Sequence, residues 1–149
     1  MAKCLQLRRG VEQAQNLFTG EQGELTMTTD TNELRLHNGT KVGGFRVPTL
    51  VAVQYPSAAN NYIWYRKYSD GWVEQGGVVL ANTGTSGTVI LPVAMADTYY
   101  TVTANNGNNG ANNYFCVNMT NAASTTQISW LKSATNMACS WEVKGMAAA

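Results

Sequence analysis

The stretch of chain that most restricts the fold is an aromatic run, Trp64, Tyr65, Arg66, Lys67 and Tyr68, followed by Ser69-Asp70-Gly71, Trp72-Val73-Glu74 and a glycine pair, Gly76-Gly77. In an extended backbone Tyr62, Trp64, Arg66 and Tyr68 fall on one face, and Ile63, Tyr65 and Lys67 on the other. Each face mixes apolar bodies with polar tips. Asp hydrogen-bonds its own backbone and Gly takes positive φ, so the second segment folds back antiparallel on the first. The glycine pair predicts a bulge or sharp bend. Such an aromatic cluster reads first as cross-strand packing. Ligand stacking through Trp64 and Trp72 is the second reading.

The rest of the chain has the composition of an all-β protein. Asn, Thr, Ser and Gly supply 53 of the 149 residues, which favours turns, short strands and a neutral hydrogen-bonding surface over long helices. That length holds one ordinary domain or two small ones. Charged residues make up 13% and the net charge is +1, against a usual charged share of about 25%. Neither nucleic acid nor membrane insertion is therefore expected. Cys4, Cys116 and Cys139 are odd in number and lack CxxC spacing, so free, buried thiols are expected and no metal or other cofactor is signalled. The opening residues lack the apolar run of a secretory signal and no window approaches a membrane span, so synthesis in the cytoplasm is expected. The sequons at Asn38 and Asn118 then read as chance matches.

Charge divides the chain in two. Positions 1–46 hold 11 of the 19 charged residues, and from Gln75 to Leu131 the sole charge is Asp97. Val47-Pro48-Thr49 is the natural joint, because Pro favours an extended predecessor and interrupts regular pairing. The expected organisation is a module over 1–47, a linker over 48–53 and a larger domain over 54–149. In the first region, alternation over 24–28 and 33–37 around a polar turn predicts a hairpin, and 11–18 has room for two helical turns before Gly20. A region of this size with so few apolar side chains sits near the limit for folding alone, which leaves association as the route to stability. In the second region, candidate strands at 63–68, 78–81, 88–91, 99–104, 114–118, 126–131 and 138–143 predict an antiparallel β-sandwich.

Two resemblances follow from these motifs. The run over 64–77, with Leu91-Pro92-Val93-Ala94-Met95-Ala96-Asp97-Thr98-Tyr99-Tyr100 and the closing Ser140-Trp141-Glu142-Val143-Lys144-Gly145, resembles the C-terminal domain of many bacteriophage tail fibres. Leu5-Gln6-Leu7-Arg8-Arg9-Gly10, Phe18-Thr19-Gly20-Glu21-Gln22-Gly23-Glu24-Leu25, Leu34-Arg35-Leu36-His37-Asn38-Gly39-Thr40 and Gly43-Gly44-Phe45 resemble the small module near the N-termini of phage tropism-determinant proteins. The second resemblance implies a β-prism built by three chains, hence an intertwined homotrimer. Together they imply a virion protein that joins other tail or head components through its first module and a bacterial surface glycan or protein through its tip.

Catalysis is not expected. The second region holds only Asp70, Glu74, Asp97 and Glu142 as acids and has no histidine, whereas hydrolysis needs a nucleophile with its base or two carboxylates about a scissile bond. The Asn/Gly-rich stretch over 105–113, with Asn105, Asn106, Asn108, Asn109, Asn112 and Asn113, reads either as a solvated loop or as a glycan-contacting tip, because amides both donate and accept as sugar hydroxyls do. Tyr99, Tyr100 and Tyr114 would then stack on sugar faces. His37, the only histidine, is expected at the surface. The leading function is a trimeric tail fibre that adsorbs to the host by non-covalent, multivalent binding; the alternatives are a decoration or head fibre that binds no receptor, and a polysaccharide depolymerase.

Overall fold

The computed structural model describes residues 7–106, 113–117 and 124–149. Two compact units divide the chain, Met1–Thr49 and Leu50–Ala149. Strands account for nearly all of the regular structure, as the composition demanded.

In the first unit β1 (Arg8–Gly10), β2 (Leu25–Thr28), β3 (Leu34–Leu36) and β4 (Phe45–Val47) form one sheet in that order. β1 runs parallel to β2, and the remaining pairs are antiparallel. Helix α1 is a single turn, Glu12–Gln15, shorter than the two turns expected. Its first N–H, from Glu12, is taken by both oxygens of the Asp30 carboxylate at 2.9 and 3.0 Å.

The polarity of this sheet is inverted. Register aligns Leu25, Leu36 and Phe45 in one cross-strand row and Met27, Leu34 and Val47 in the next, so six apolar side chains share a face. Leu25, Leu36, Phe45 and Val47 are among the exposed large hydrophobic residues. The opposite face carries Thr26, Thr28, Glu33, Arg35 and His37, all buried. Most of their polar atoms find partners locally, as burial favours; Arg35 Nε is left without a hydrogen bond, and its Nη2 lies 3.7 Å from a Glu12 carboxylate oxygen. His37, expected at the surface, is 1% exposed; Gly20 N–H donates to its Nδ1 at 3.1 Å, which leaves the ring proton on Nε2 to donate to Thr26 Oγ1 at 2.9 Å. Arg35 donates to the Gly43 carbonyl at 2.9 Å, and Arg46 bridges the Glu12 and Glu33 carboxylates. Among the described residues, the few apolar side chains of this region therefore build no interior of its own.

In the second unit β5 (Leu50–Gln54), β6 (Trp64–Tyr68), β7 (Trp72–Val79), β12 (Cys139–Met146) and β9 (Thr101–Asn106) form a five-stranded antiparallel sheet in that spatial order. β10 (Phe115–Val117), β11 (Gln127–Lys132) and β8 (Ser86–Ile90) form a three-stranded one. Both sheets supply one buried core: Val73, Val79, Trp141 and Val143 from the larger, Phe115, Ile128 and Trp130 from the smaller. Gln75 lies fully buried among them, and its side-chain amide closes a two-way pair with the backbone of Val93 at 2.8 and 3.0 Å.

The aromatic hairpin forms as its chemistry requires. Gly71 adopts φ +87°, Asp70 Oδ1 accepts the Trp72 N–H at 3.0 Å, and β6 pairs antiparallel with β7 from Trp64↔Gly76 to Lys67↔Val73. Two expectations fail. The stretch 48–53, read as a linker, is largely strand β5, paired with β6 from Leu50↔Tyr68 to Gln54↔Tyr65. Gly76 and Gly77 make no bulge, because β7 passes through both in register with β12. Close approach explains them instead. A Cβ on Gly76 would lie 2.7 Å from the Trp141 carbonyl oxygen and 2.8 Å from Trp64 Nε1, and one on Gly77 would lie 3.1 Å from both the Trp141 ring and Ile63. The pair lets Trp64 cross the outer face of the sheet and Trp141 its inner face.

Candidate functional site

The outer face of the five-stranded sheet is set by alternation. Val73, Gln75, Val79, Cys139, Trp141 and Val143 point into the core, so Trp64, Arg66, Glu74, Ser140, Glu142, Lys144, Thr103 and Asn105 point away from it. Register places Trp64, Gly76, Glu142 and Thr103 in one row across four strands, with Val78, Ser140 and Asn105 in the next. Gly76 has no side chain, so the row has a trough between Trp64 and Glu142, whose backbones are about 10 Å apart at two strand spacings. A cleft of about 470 Å3 follows, walled by Tyr62, Trp64, Thr103, Asn105, Ser140 and Glu142. A second, of about 320 Å3, shares Trp64 and Glu142 and adds Tyr55, Arg66 and Glu74. Trp64 stands where the two meet.

The near wall is held by backbone in an uncommon conformation. Asn61 and Tyr62 are both left-handed, at φ +55° and +57°, a state that costs a non-glycine residue roughly 1–2 kcal/mol. The loop before them fixes it. Tyr62 N–H donates to the Ser57 carbonyl at 2.8 Å and Ile63 N–H to that of Asn60 at 3.0 Å, while the Asn60 side chain accepts from Ser57 N–H and donates to the Tyr55 carbonyl. Tyr62 is thereby presented, half-exposed, beside Trp64.

Charge in the groove is balanced. Register sets Arg66 opposite Glu74 and Glu74 opposite Lys144, and Lys144 Nζ lies 3.2 Å from Glu142 Oε1. Among the described residues no three His, Cys, Asp or Glu side chains gather to hold a metal. A separate cleft of about 420 Å3 opens on the core residues Val79, Trp130 and Trp141 and is edged by Asn61, Thr83 and Thr88.

Of the residues singled out in the sequence, Trp64 and Asn105 meet in the larger cleft. Asn105 and Asn106 belong to β9 rather than to a loop, paired with Ser140 and Cys139. Trp72 shares the outer face but pairs with Met146, four residues and about 13 Å along the strand from Gly76, so it forms no platform with Trp64. Tyr99, 94% exposed, precedes β9, and its N–H is held by Asp97 Oδ1. Tyr100 donates its hydroxyl to the Ser124 carbonyl. Tyr114 is exposed at the head of β10 and bonds Ser133 through its N–H; the Asn113 carbonyl accepts from Asn106. Asn108, Asn109 and Asn112 lie outside the described residues. Tyr62, Thr103, Ser140 and Glu142 were missed. The signal for the last two was the alternation of Ser140 and Glu142 with Trp141 and Val143.

Comparison with known proteins places these observations. Residues 5–41 match the family model of the major tropism determinant N-terminal domain. No curated protein matches the chain. Among solved structures, an N-truncated R2-type pyocin tail fibre aligns over 65% of this chain and 39% of its own length, with 17% identity and a TM-score of 0.45. A C-terminal piece of the R2 pyocin fibre from P. aeruginosa aligns over 65% of this chain and 26% of its own, with 18% identity and a TM-score of 0.42. The chain thus spans well under half the length of either fibre. Its similarity to the tropism-determinant module falls on β1, α1, β2 and β3, in the unit whose sheet faces outward with its apolar side.

Proposed function

We propose that this chain is a bacteriophage tail-fibre or receptor-binding protein, carried on the virion and made in the host cytoplasm. Its second unit recognises the host surface, most simply a glycan, by non-covalent and multivalent contact without bond cleavage. The observation that carries the reading is the match of residues 5–41 to the tropism-determinant N-terminal domain. In this reading the first unit serves assembly. The row of Leu25, Leu36 and Phe45 beside that of Met27, Leu34 and Val47 supports it, because a contiguous apolar face on a polar-cored sheet is the surface that association covers. The homotrimer is the assembly proposed, with other virion components as further partners, and multivalency raises the avidity of weak sites through effective concentration.

The test is absolute mass in solution at two protein concentrations. The expected result is a concentration-independent value near three times the 16.1 kDa chain, falling to one chain in Phe45→Asp, which places a charge on the apolar face at its β4 edge. A wild-type monomer, or a trimer untouched by Phe45→Asp, would refute assembly through this face.

A further inference from the structure

We propose that the groove along Trp64 is a binding site for a neutral oligosaccharide at least two pyranose rings long, with one ring stacked on the indole. This rests on the host-recognition reading above and gives it a site and a ligand class. Each cleft has the roughly 300–1,000 Å3 scale of small-molecule sites, and both contain Trp64, so a ligand seated on that ring extends into either side. The indole, anchored across Gly76, offers an apolar plane to the C–H face of a sugar at little conformational cost, since its rotamer is already fixed by packing.

The polar groups select the rest of the ligand. Asn105 donates and accepts, Ser140 and Thr103 do either, and the Glu142 and Glu74 carboxylates accept only. That set suits hydroxyl groups, which donate and accept from one atom. Glu74 and Glu142 oppose a ligand carboxylate or phosphate, while Arg66 and Lys144 bring the groove's formal charge to zero, so neither a uronic acid nor a nucleic acid backbone is favoured. Peptide addition by strand pairing is closed off here, because β6, β7 and β12 are each paired on both sides.

The experiment presents the purified full chain to an array of bacterial O-antigen and capsular polysaccharides, neutral and acidic. One or more neutral polysaccharides should be retained. Half-saturation should rise by about tenfold or more in Trp64→Ala, the order that a lost aromatic contact carries. Thr103→Tyr, an exposed substitution that fills the cleft without touching the core, should do the same; Trp72→Ala should bind as wild type. Retention of acidic polysaccharides alone, retention of none, or binding that survives both groove variants would overturn the proposal. Adherence of labelled chain to a panel of bacterial strains separates the two levels. Adherence that both groove variants leave intact sinks the groove and spares host recognition, whereas a wild-type chain that adheres to no strain sinks recognition itself.

Discussion

Lys132 lies 1% exposed at the end of β11, and among the described residues no carboxylate neutralises it. Its ammonium is held by the Met137 and Leu80 carbonyls at 2.8 and 2.9 Å, and by the Thr135 carbonyl and Thr83 hydroxyl at 3.3 Å. Replacement by Met keeps the stem and removes the donors. The loss is not shared evenly. Thr135 keeps a bond from Asn82 N–H at 2.6 Å, and Leu80 keeps one from the Thr83 hydroxyl at 2.7 Å, so only the Met137 carbonyl loses the donor it depends on. An orphaned buried acceptor costs about 1–3 kcal/mol and a charge-assisted bond contributes about 1.5–3, part of which is offset because no ammonium need be desolvated. A net loss of about 2–4 kcal/mol follows. For a unit running from Leu50 to Ala149, that lowers Tm by roughly 8–32 °C at the usual 4–8 °C per kcal/mol for domains of this size. Near-UV circular dichroism reports it, because the ammonium lies 5.4 Å from the centre of the Trp130 ring. If Lys132→Met melts at or above the wild-type temperature, burying the charge costs as much as its bonds return, and the reasoning fails.

Gly76→Ala should displace Trp64 or push β7 from β12, since the new methyl meets a carbonyl oxygen at 2.7 Å; a loss of about 1–3 kcal/mol is expected from such overpacking, with a change in tryptophan emission, and unaltered unfolding and emission would count against the two-sided clamp. Asp30 has its pKa lowered from 3.8, chiefly by the Glu12 N–H it accepts. Its stabilisation of the first unit is therefore complete above the unfolded value and is lost as pH falls through the lower, folded one; Asp30→Asn should flatten the acid limb of that unit's thermal stability, and identical acid limbs would contradict the assignment.

The sequence announced whatever local chemistry decides. The turn at Asp70-Gly71, the antiparallel partner that follows it, and the alternation of β11 and β12 all arise within a few residues of one another, so pattern alone located them. Glycine 76 and 77 show where that logic stops. A glycine pair in a strand signals a bulge locally, yet here it admits Trp64, twelve residues upstream, and Trp141, far downstream. Only the tertiary partner reveals which. β5 was obscured by Pro48, whose influence on the residue before it hid a strand beginning two residues after. The first unit misled in another way. Its apolar residues were rightly counted as few, but the usual rule that the apolar side of an alternating strand faces inward is reversed there, and His37 and Arg35 occupy the interior. The groove was half visible, through Trp64 and Asn105, because its remaining walls come from strands whose neighbours only the sheet order assigns.

The clamp of two tryptophans about one strand separates what must stay fixed from what is free to change. Between Trp64 and Trp141 there is a single thickness of backbone, so the floor of the groove is as constrained as the core beneath it. Thr103, Asn105 and Ser140, by contrast, are exposed, and their side chains serve no packing in the core. Mutation can rewrite them one at a time with little penalty to folding. If the groove binds as proposed, a lineage pressed to follow a changing ligand would find its raw material there, altering what the groove accepts while the scaffold under it is inherited intact.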